Sequence, residues 1–236
     1  MKKLEQWLDR QTGTVWFACF FNVAVLAVML LLLRPAFETN DDISVSMVAN
    51  GSWGTGNAHI ICQNYLLGVW YTVLYHIGHG SIPWYGISQY VFLCMAMSAV
   101  TYVLFQRLKK EQAFLINGIL LIYFGYECYI KMQYTKTAGV LTIAGFFLLF
   151  SELEEERISN KRVALGILLS CIGSLYRFEQ FIACVILMSG LEIYQILKYR
   201  KESNLKKVWK PFLYVVIILA GAVLLKGFDT YLYESN

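Results

Sequence analysis

The sequence predicts an all-α fold, a polytopic transmembrane helix bundle of about seven spans, and three observations carry that prediction. The 236 residues are 58% hydrophobic and 15% charged, against about 45–50% apolar and about 25% charged in soluble domains. The mean hydropathy is +0.52. The apolar residues also gather into runs that approach the roughly 20 residues a helix needs to cross a hydrocarbon core of roughly 30 Å. This composition excludes intrinsic disorder, and Cys19, Cys62, Cys94, Cys128, Cys171 and Cys184 contain no CxxC pair and most sit in apolar runs, where small buried thiols are ordinary. The net charge of +4 does not mark a nucleic-acid partner, because the basic residues cluster at the ends of apolar runs and form no stripe. The partner they imply is the lipid bilayer.

The first run covers 14–33. Lys2, Lys3 and Arg10 precede it and no small-residue cleavage site follows, so it reads as a retained span with a cytoplasmic N-terminus. Further runs lie at 84–105, 113–126, 137–150, 163–176, 181–197 and 211–225, several of them short. The segment 59–78 carries Tyr65, Leu66, Val69, Trp70, Val73, Leu74 and Ile77 at roughly helical spacing. If it crossed, every later loop would change sides, so the positive-inside rule arbitrates. With it outside, fifteen of the twenty basic residues are cytoplasmic, and Arg34, Lys131, Lys136, Arg177 and Lys226 are the five outer ones. The segment is therefore expected as an outer juxtamembrane or re-entrant helix within an outer loop over 34–83, and the C-terminus is expected outside. No repeat of 20–50 residues is evident, and the acidic run Glu152, Glu154, Glu155 and Glu156 reads as a solvated loop.

Charged groups near membrane depth need a reason, since each costs about 2.5–3.5 kcal/mol to insert. The outer ones form three groups. The first is Glu38, Thr39, Asn40, Asp41 and Asp42, directly after the first span. On a helical turn consecutive side chains diverge by about 100°, so Asp41 and Asp42 do not both point into one site. Capping of a short helix over 43–49 by Asn40 or Asp41 explains one acid but not the group. The second group is Glu127, Lys131, Gln133 and Lys136, in which Glu127 and Lys131 stand four apart and can simply pair. The third is Arg177 with Glu179, at the apex between two apolar runs. Convergence of outer acids and outer cations on one face of the bundle is what favours a site over isolated pairs.

Trp53, Trp84 and Tyr85 read as interface anchors or as stacking platforms for a sugar. His59, His76 and His79 with Asp41 or Asp42 offer donors for a divalent metal, although a loop-end histidine pair is more often plain interface sequence. The sequence specifies no cofactor, and a divalent metal stays open. The stretch NGSWGTGN at 50–57 has turn chemistry without phosphate-loop spacing and reads as a flexible connection.

With the first span, the outer acidic motif ETNDD, the outer helix and the later outer cations in place, the chain resembles the GT-C-type membrane glycosyltransferases that use polyprenyl-phosphate sugars. The stretches FETNDDISVSMVANG, IPWYG, QYTKTAG and LYRFEQF are similar to a group of large, mostly uncharacterised membrane proteins of Gram-positive bacteria. The resemblance covers most of the chain. It implies a bacterial plasma-membrane enzyme that moves a sugar from a polyprenyl-phosphate donor to an extracytoplasmic acceptor whose nature is unknown. It also implies that 1–236 is a single transmembrane domain forming the front part of a longer protein, because such transferases generally have more spans. In that reading Asp41, and second Asp42, is the base at the acceptor hydroxyl; Lys131, Lys136 and Arg177 hold the lipid phosphate; and Asn40, His59, Gln133 and Glu179 contact substrate. The alternatives are a polytopic transporter or lipid flippase, expected to carry mid-span charges and two related halves, and a noncatalytic membrane assembly protein, in which the acids would be dispensable.

Overall fold

The computed structural model describes residues 12–78, 81–155, 157–201 and 205–234. Among them are nine α-helices: α1 Val15–Leu32, α2 Asn40–Asn50, α3 Tyr65–Ile77, α4 Trp84–Arg107, α5 Lys110–Gly125, α6 Tyr134–Leu153, α7 Asn160–Tyr176, α8 Phe178–Lys201 and α9 Leu205–Glu234. Two residue-pair strands, β1 Ala36–Phe37 and β2 Lys131–Met132, join in parallel, and a π-helical turn, Tyr126–Ile130, links α5 to β2. Lys2, Lys3, Arg10, His79 and Glu156 of the acidic run lie outside the described residues.

Each of the seven apolar runs becomes a helix. Six are long and apolar enough to cross a membrane: α1, α4, α5 with its π turn, α6, α8 and the part of α9 from Trp209. The seventh, α7, has 17 residues and packs against α6, α8 and α9. The chain is a multi-pass membrane protein. The helix in 59–78 is α3, and its 13 residues reach only about 20 Å at 1.5 Å each, short of a crossing. Bare apolar surface on α1, with Trp16, Phe20, Leu31 and Leu32 exposed, is what a lipid-facing helix presents.

Small residues set the tightest helix pair. On α6 and α7, Gly145, Gly166 and Gly173 let the backbones touch: a Cβ on Gly166 would stand 2.9 Å from the Gly145 carbonyl oxygen, and one on Gly145 would collide with Ser170 and Gly166. Such close approach is how helices associate where lipid removes the hydrophobic drive. Gly145→Val is expected to cost about 1–3 kcal/mol through overpacking, read as a lower thermal unfolding midpoint in detergent; an unchanged midpoint would show that the two helices have room to separate.

Polar contacts add a second bond between helices. Asn22 of α1 donates from Nδ2 to Thr101 Oγ1 of α4 (2.9 Å), and Thr101 donates to Asn117 Oδ1 of α5 (2.9 Å). All three are buried. At one end of the bundle the acidic run is not the solvated loop its composition suggests. Glu152 is buried and pairs with Arg162, while Glu154 and Glu155 meet Arg107 and Glu154 also meets Lys198. The run closes the C-terminal end of α6 against three neighbouring helices.

At the opposite end, β1 and β2 pin the segment after α1 beside the start of α6, and the Glu38 N–H donates to the Met132 carbonyl (2.9 Å). Beneath them lies a core of Val45, Tyr71, Tyr85, Tyr134, Ala138, Leu141 and Tyr176. Burial pushes the Tyr71 phenol well above the ordinary tyrosine range, helped by the neighbouring Tyr176 and Tyr85; this core therefore presents a neutral phenol to the groups above it.

Candidate functional site

The first turn of α6 organises the site. Its residues 134–137 point about 100° apart, and each meets a different partner. The Tyr134 N–H donates to Asp42 Oδ1 (3.1 Å). Thr135 Oγ1 accepts from Arg177 Nη1 (2.8 Å). The Lys136 ammonium meets Glu38 (2.5 Å) and Glu127 (2.7 Å). Thr137 donates to Gln89 Oε1 (2.9 Å). The sequence feature behind this is QYTKT, which puts a tyrosine, two hydroxyls and a lysine on consecutive positions of one turn.

The acidic motif is split by this arrangement. Helix α2 starts earlier than capping logic suggests, at Asn40, with Thr39 before it, so neither Asn40 nor Asp41 is the cap. Thr39 instead donates its hydroxyl to Asp42 Oδ2 (2.7 Å). Asp42 is wholly buried, and its Oδ1 accepts from the Tyr85 hydroxyl (2.7 Å), Gln89 Nε2 (3.3 Å) and the Tyr134 N–H. Four donors occupy this carboxylate, which makes it an anchor for α2, α4 and α6. Asp41, one residue earlier, is exposed. Its neighbour Asp42 holds the Tyr134 N–H while Arg177 donates to the Tyr134 hydroxyl, so Tyr134 joins the acidic motif to this cation. Tyr85 is neither an anchor at the interface nor a stacking platform, being fully buried as a donor to Asp42.

A cavity of about 570 Å³ opens beside this cation. Its walls are the segment 60–64, the junction of α7 and α8 around Arg177, and the far end of α9, with Cys62, Gln63, Arg177, Glu179, Lys226, Asp229 and Glu234 among the polar lining groups and Ile60, Ile61, Leu175 and Phe178 among the apolar ones. Arg177 is only weakly countercharged: Glu179 stands 3.9 Å away and is largely exposed. Its guanidinium lies over the Tyr134 ring at 5.6 Å and donates to that hydroxyl at 3.4 Å. Lys226 is held by Asp229 (3.0 Å). Asp229 is buried and also accepts from the Tyr65 N–H (2.7 Å), so it caps α3 together with Asn64.

Of the residues singled out from sequence, Arg177 and Glu179 line the cavity and Asp41 does not. Lys131 and Lys136 do not line it. Lys131 stands 3.7 Å from Glu127 and over the Tyr126 ring, and with Lys136, Glu38 and Glu127 it forms an ion-pair group of two cations and two anions that ties the strand pair to the π turn. Gln133 precedes α6 and its carbonyl receives Thr137. Asn40 is exposed, and its carbonyl receives the Ser44 hydroxyl. His59 packs edge-on against Tyr65 and Tyr233, with its Nδ1 3.1 Å from Asn57 Oδ1. Among the described residues no three His, Cys, Asp or Glu side chains gather to hold a metal ion.

Sequence reasoning missed Cys62, Gln63, Tyr134, Lys226 and Asp229 as site residues. Cys62 is the one non-glycine among the described residues with a positive φ (62°), a strained placement of the kind that gathers at functional sites, and no residue pattern announces it. Lys226 and Asp229 did leave a signal, an opposite-charge pair three apart inside an apolar run. Comparison with family models, with curated proteins and with solved structures gives no match to this chain.

Proposed function

We propose that this chain is a membrane glycosyltransferase that moves a sugar from a polyprenyl-phosphate donor to an acceptor hydroxyl outside the bacterial plasma membrane, with the N-terminus cytoplasmic and the cavity end facing outward. One observation carries the reading: weakly countercharged Arg177 stands on the wall of the cavity and touches the Tyr134 hydroxyl, while the backbone N–H of the same Tyr134 is held by Asp42, next to exposed Asp41. A cation on the wall of such a cavity suits a phosphate leaving group, whose charge it stabilises through charge-assisted hydrogen bonds. An exposed carboxylate next to Asp42 suits removal of the proton from an acceptor hydroxyl. Asp42 supports both by fixing α2 on the first turn of α6. The charge distribution of the loops supports the outward placement of this end.

The test is sugar transfer by the purified chain in nanodiscs, supplied with a panel of polyprenyl-phosphate sugars and cell-envelope acceptors. Arg177→Gln is expected to raise the KM for the donor about tenfold to a hundredfold, as loss of a charged hydrogen bond implies. Absence of transfer from every donor, or an Arg177→Gln chain with unaltered KM, rejects the assignment.

A further inference from the structure

Helix α3 is apolar on both sides. Its inner face, with Leu67, Tyr71 and Tyr75, packs into the core beside Val45 and Tyr85. Its other face carries Leu66, Trp70, Val73 and Ile77, all exposed. These four stand at i, i+4, i+7 and i+11 and make one stripe along the helix. A helix that is hydrophobic all round is normally covered all round, yet among the described residues nothing covers this stripe. The sequence carries the same message over a longer range. Between Asp42 and Arg107 it contains no Asp, Glu, Lys or Arg, although about 25% of the residues of a soluble domain are charged. The part of this stretch that precedes α4, 43–83, therefore lacks the side chains with which a loop meets bulk water.

Trp70 shows what lies over the stripe. Its indole N–H donates to Ser88 Oγ of α4 (3.1 Å), while the ring stays bare. Ser88 shares a face of α4 with Val91 and Met95, three and seven residues further on and both exposed. Helix α4 is long and apolar enough to cross a membrane, so Val91 and Met95 are surface that it turns to lipid, and the α3 stripe continues that surface. The depth follows from length. The 24 residues of α4 extend about 36 Å, against a hydrocarbon core of roughly 30 Å. Centred on that core, α4 places Ser88, about 6 Å along from Trp84, just inside the hydrocarbon boundary. Trp70 is held at the same level, where tryptophan characteristically gathers.

We propose that Leu66, Trp70, Val73 and Ile77 form a lipid-binding surface, embedded in the leaflet at the cavity end of the bundle, with acyl chains as its occupant. A protein seated on the stripe would have to cover Val91 and Met95 of a crossing helix as well, which lipid does without any added partner. The embedding bears on the cavity, because 60–64 line it and run directly into α3. That wall is then fixed at the level of the leaflet, and a ligand with a lipid tail approaches Arg177 along the bilayer. This use of the surface rests on the proposed transferase reading; the embedding does not.

The experiment measures what reaches the stripe. A nitroxide is attached at Val73→Cys or Ile77→Cys in the full chain, with Cys62→Ser removing the one exposed native thiol, and the protein is placed in phosphatidylcholine nanodiscs. Power-saturation electron paramagnetic resonance then compares collisions with oxygen, which concentrates in hydrocarbon, and with a nickel chelate, which stays in water. Val91→Cys serves as the lipid reference and Lys109→Cys, exposed beyond the end of α4, as the water reference. Both stripe labels are expected to give an oxygen-to-nickel ratio close to that of Val91→Cys and several-fold above that of Lys109→Cys. A ratio matching Lys109→Cys overturns the proposal, and so does loss of collisions with both reagents, which would place a second copy or another protein over the face. Using two positions keeps the test open if one variant fails to fold. Because no turnover is involved, embedding without sugar transfer removes the enzymatic reading alone, and transfer with a water-exposed stripe removes this one alone.

Discussion

Asp42→Ala is expected to destabilise the chain severely, whereas Asp42→Asn is expected to leave it nearly intact. Alanine strands the Thr39 and Tyr85 hydroxyls, the Gln89 amide and the Tyr134 N–H. Thr39 is only partly buried and can turn toward water, but the Tyr134 N–H is fixed by the backbone. Each buried donor left unpaired costs about 1–3 kcal/mol, so even two of the remaining three remove about 2–6 kcal/mol. Asparagine keeps one oxygen for the three donors that converge on Oδ1, and its amide can donate to Thr39 once that hydroxyl rotates, with a cost of about 1 kcal/mol. Thermal unfolding in detergent separates the two variants, and equal midpoints would show that the carboxylate does not anchor the three helices.

Asp41→Asn is expected to do the reverse. The side chain is exposed, so abundance and unfolding midpoint should change little, apart from about 0.3–1 kcal/mol for removing an acid from the first turn of α2. Sugar transfer, in contrast, should fall by about 10² to 10⁴ in kcat, the range a positioned base contributes. Measuring kcat and abundance for both asparagine variants tells the acids apart. Transfer lost in Asp42→Asn and retained in Asp41→Asn would reassign the base, and transfer retained in both would remove base catalysis by this motif.

The spans were legible because lipid imposes a length and a hydropathy that a run of residues either meets or does not. The break between α7 and α8 at Arg177 was legible for a related reason, since a lone cation interrupting an apolar stretch marks an end. That 59–78 holds a helix was legible from its apolar spacing, and its not crossing from the charge balance of the loops, not from its length; the Glu127–Lys131 pairing was legible from its spacing of four. What stayed hidden depended on contacts distant in sequence. Nothing in AF or KM announces a two-residue parallel strand pair, and Lys136 could not be seen to take Glu38, 98 residues earlier. The inward turn of Asp42 was equally hidden: the rule that adjacent side chains diverge said that one acid of the pair would leave the site, but not which. Tyr85 read as an interface aromatic because its partner, 43 residues back, lay on another helix.

The hold that α9 has on the cavity wall carries a consequence for biogenesis. Asn64 donates to the Leu225 carbonyl, Tyr65 to Asp229 and Tyr233 to the Ile60 carbonyl, across sequence gaps of 161, 164 and 173 residues. Ribosomes add about 5–20 residues per second, so the nascent chain spends on the order of 10 s with its early helices already delivered to the bilayer and one wall of the hollow still unsynthesised. Competence for binding should therefore arrive abruptly, when α9 enters the membrane and fastens the strand of chain laid down near the beginning.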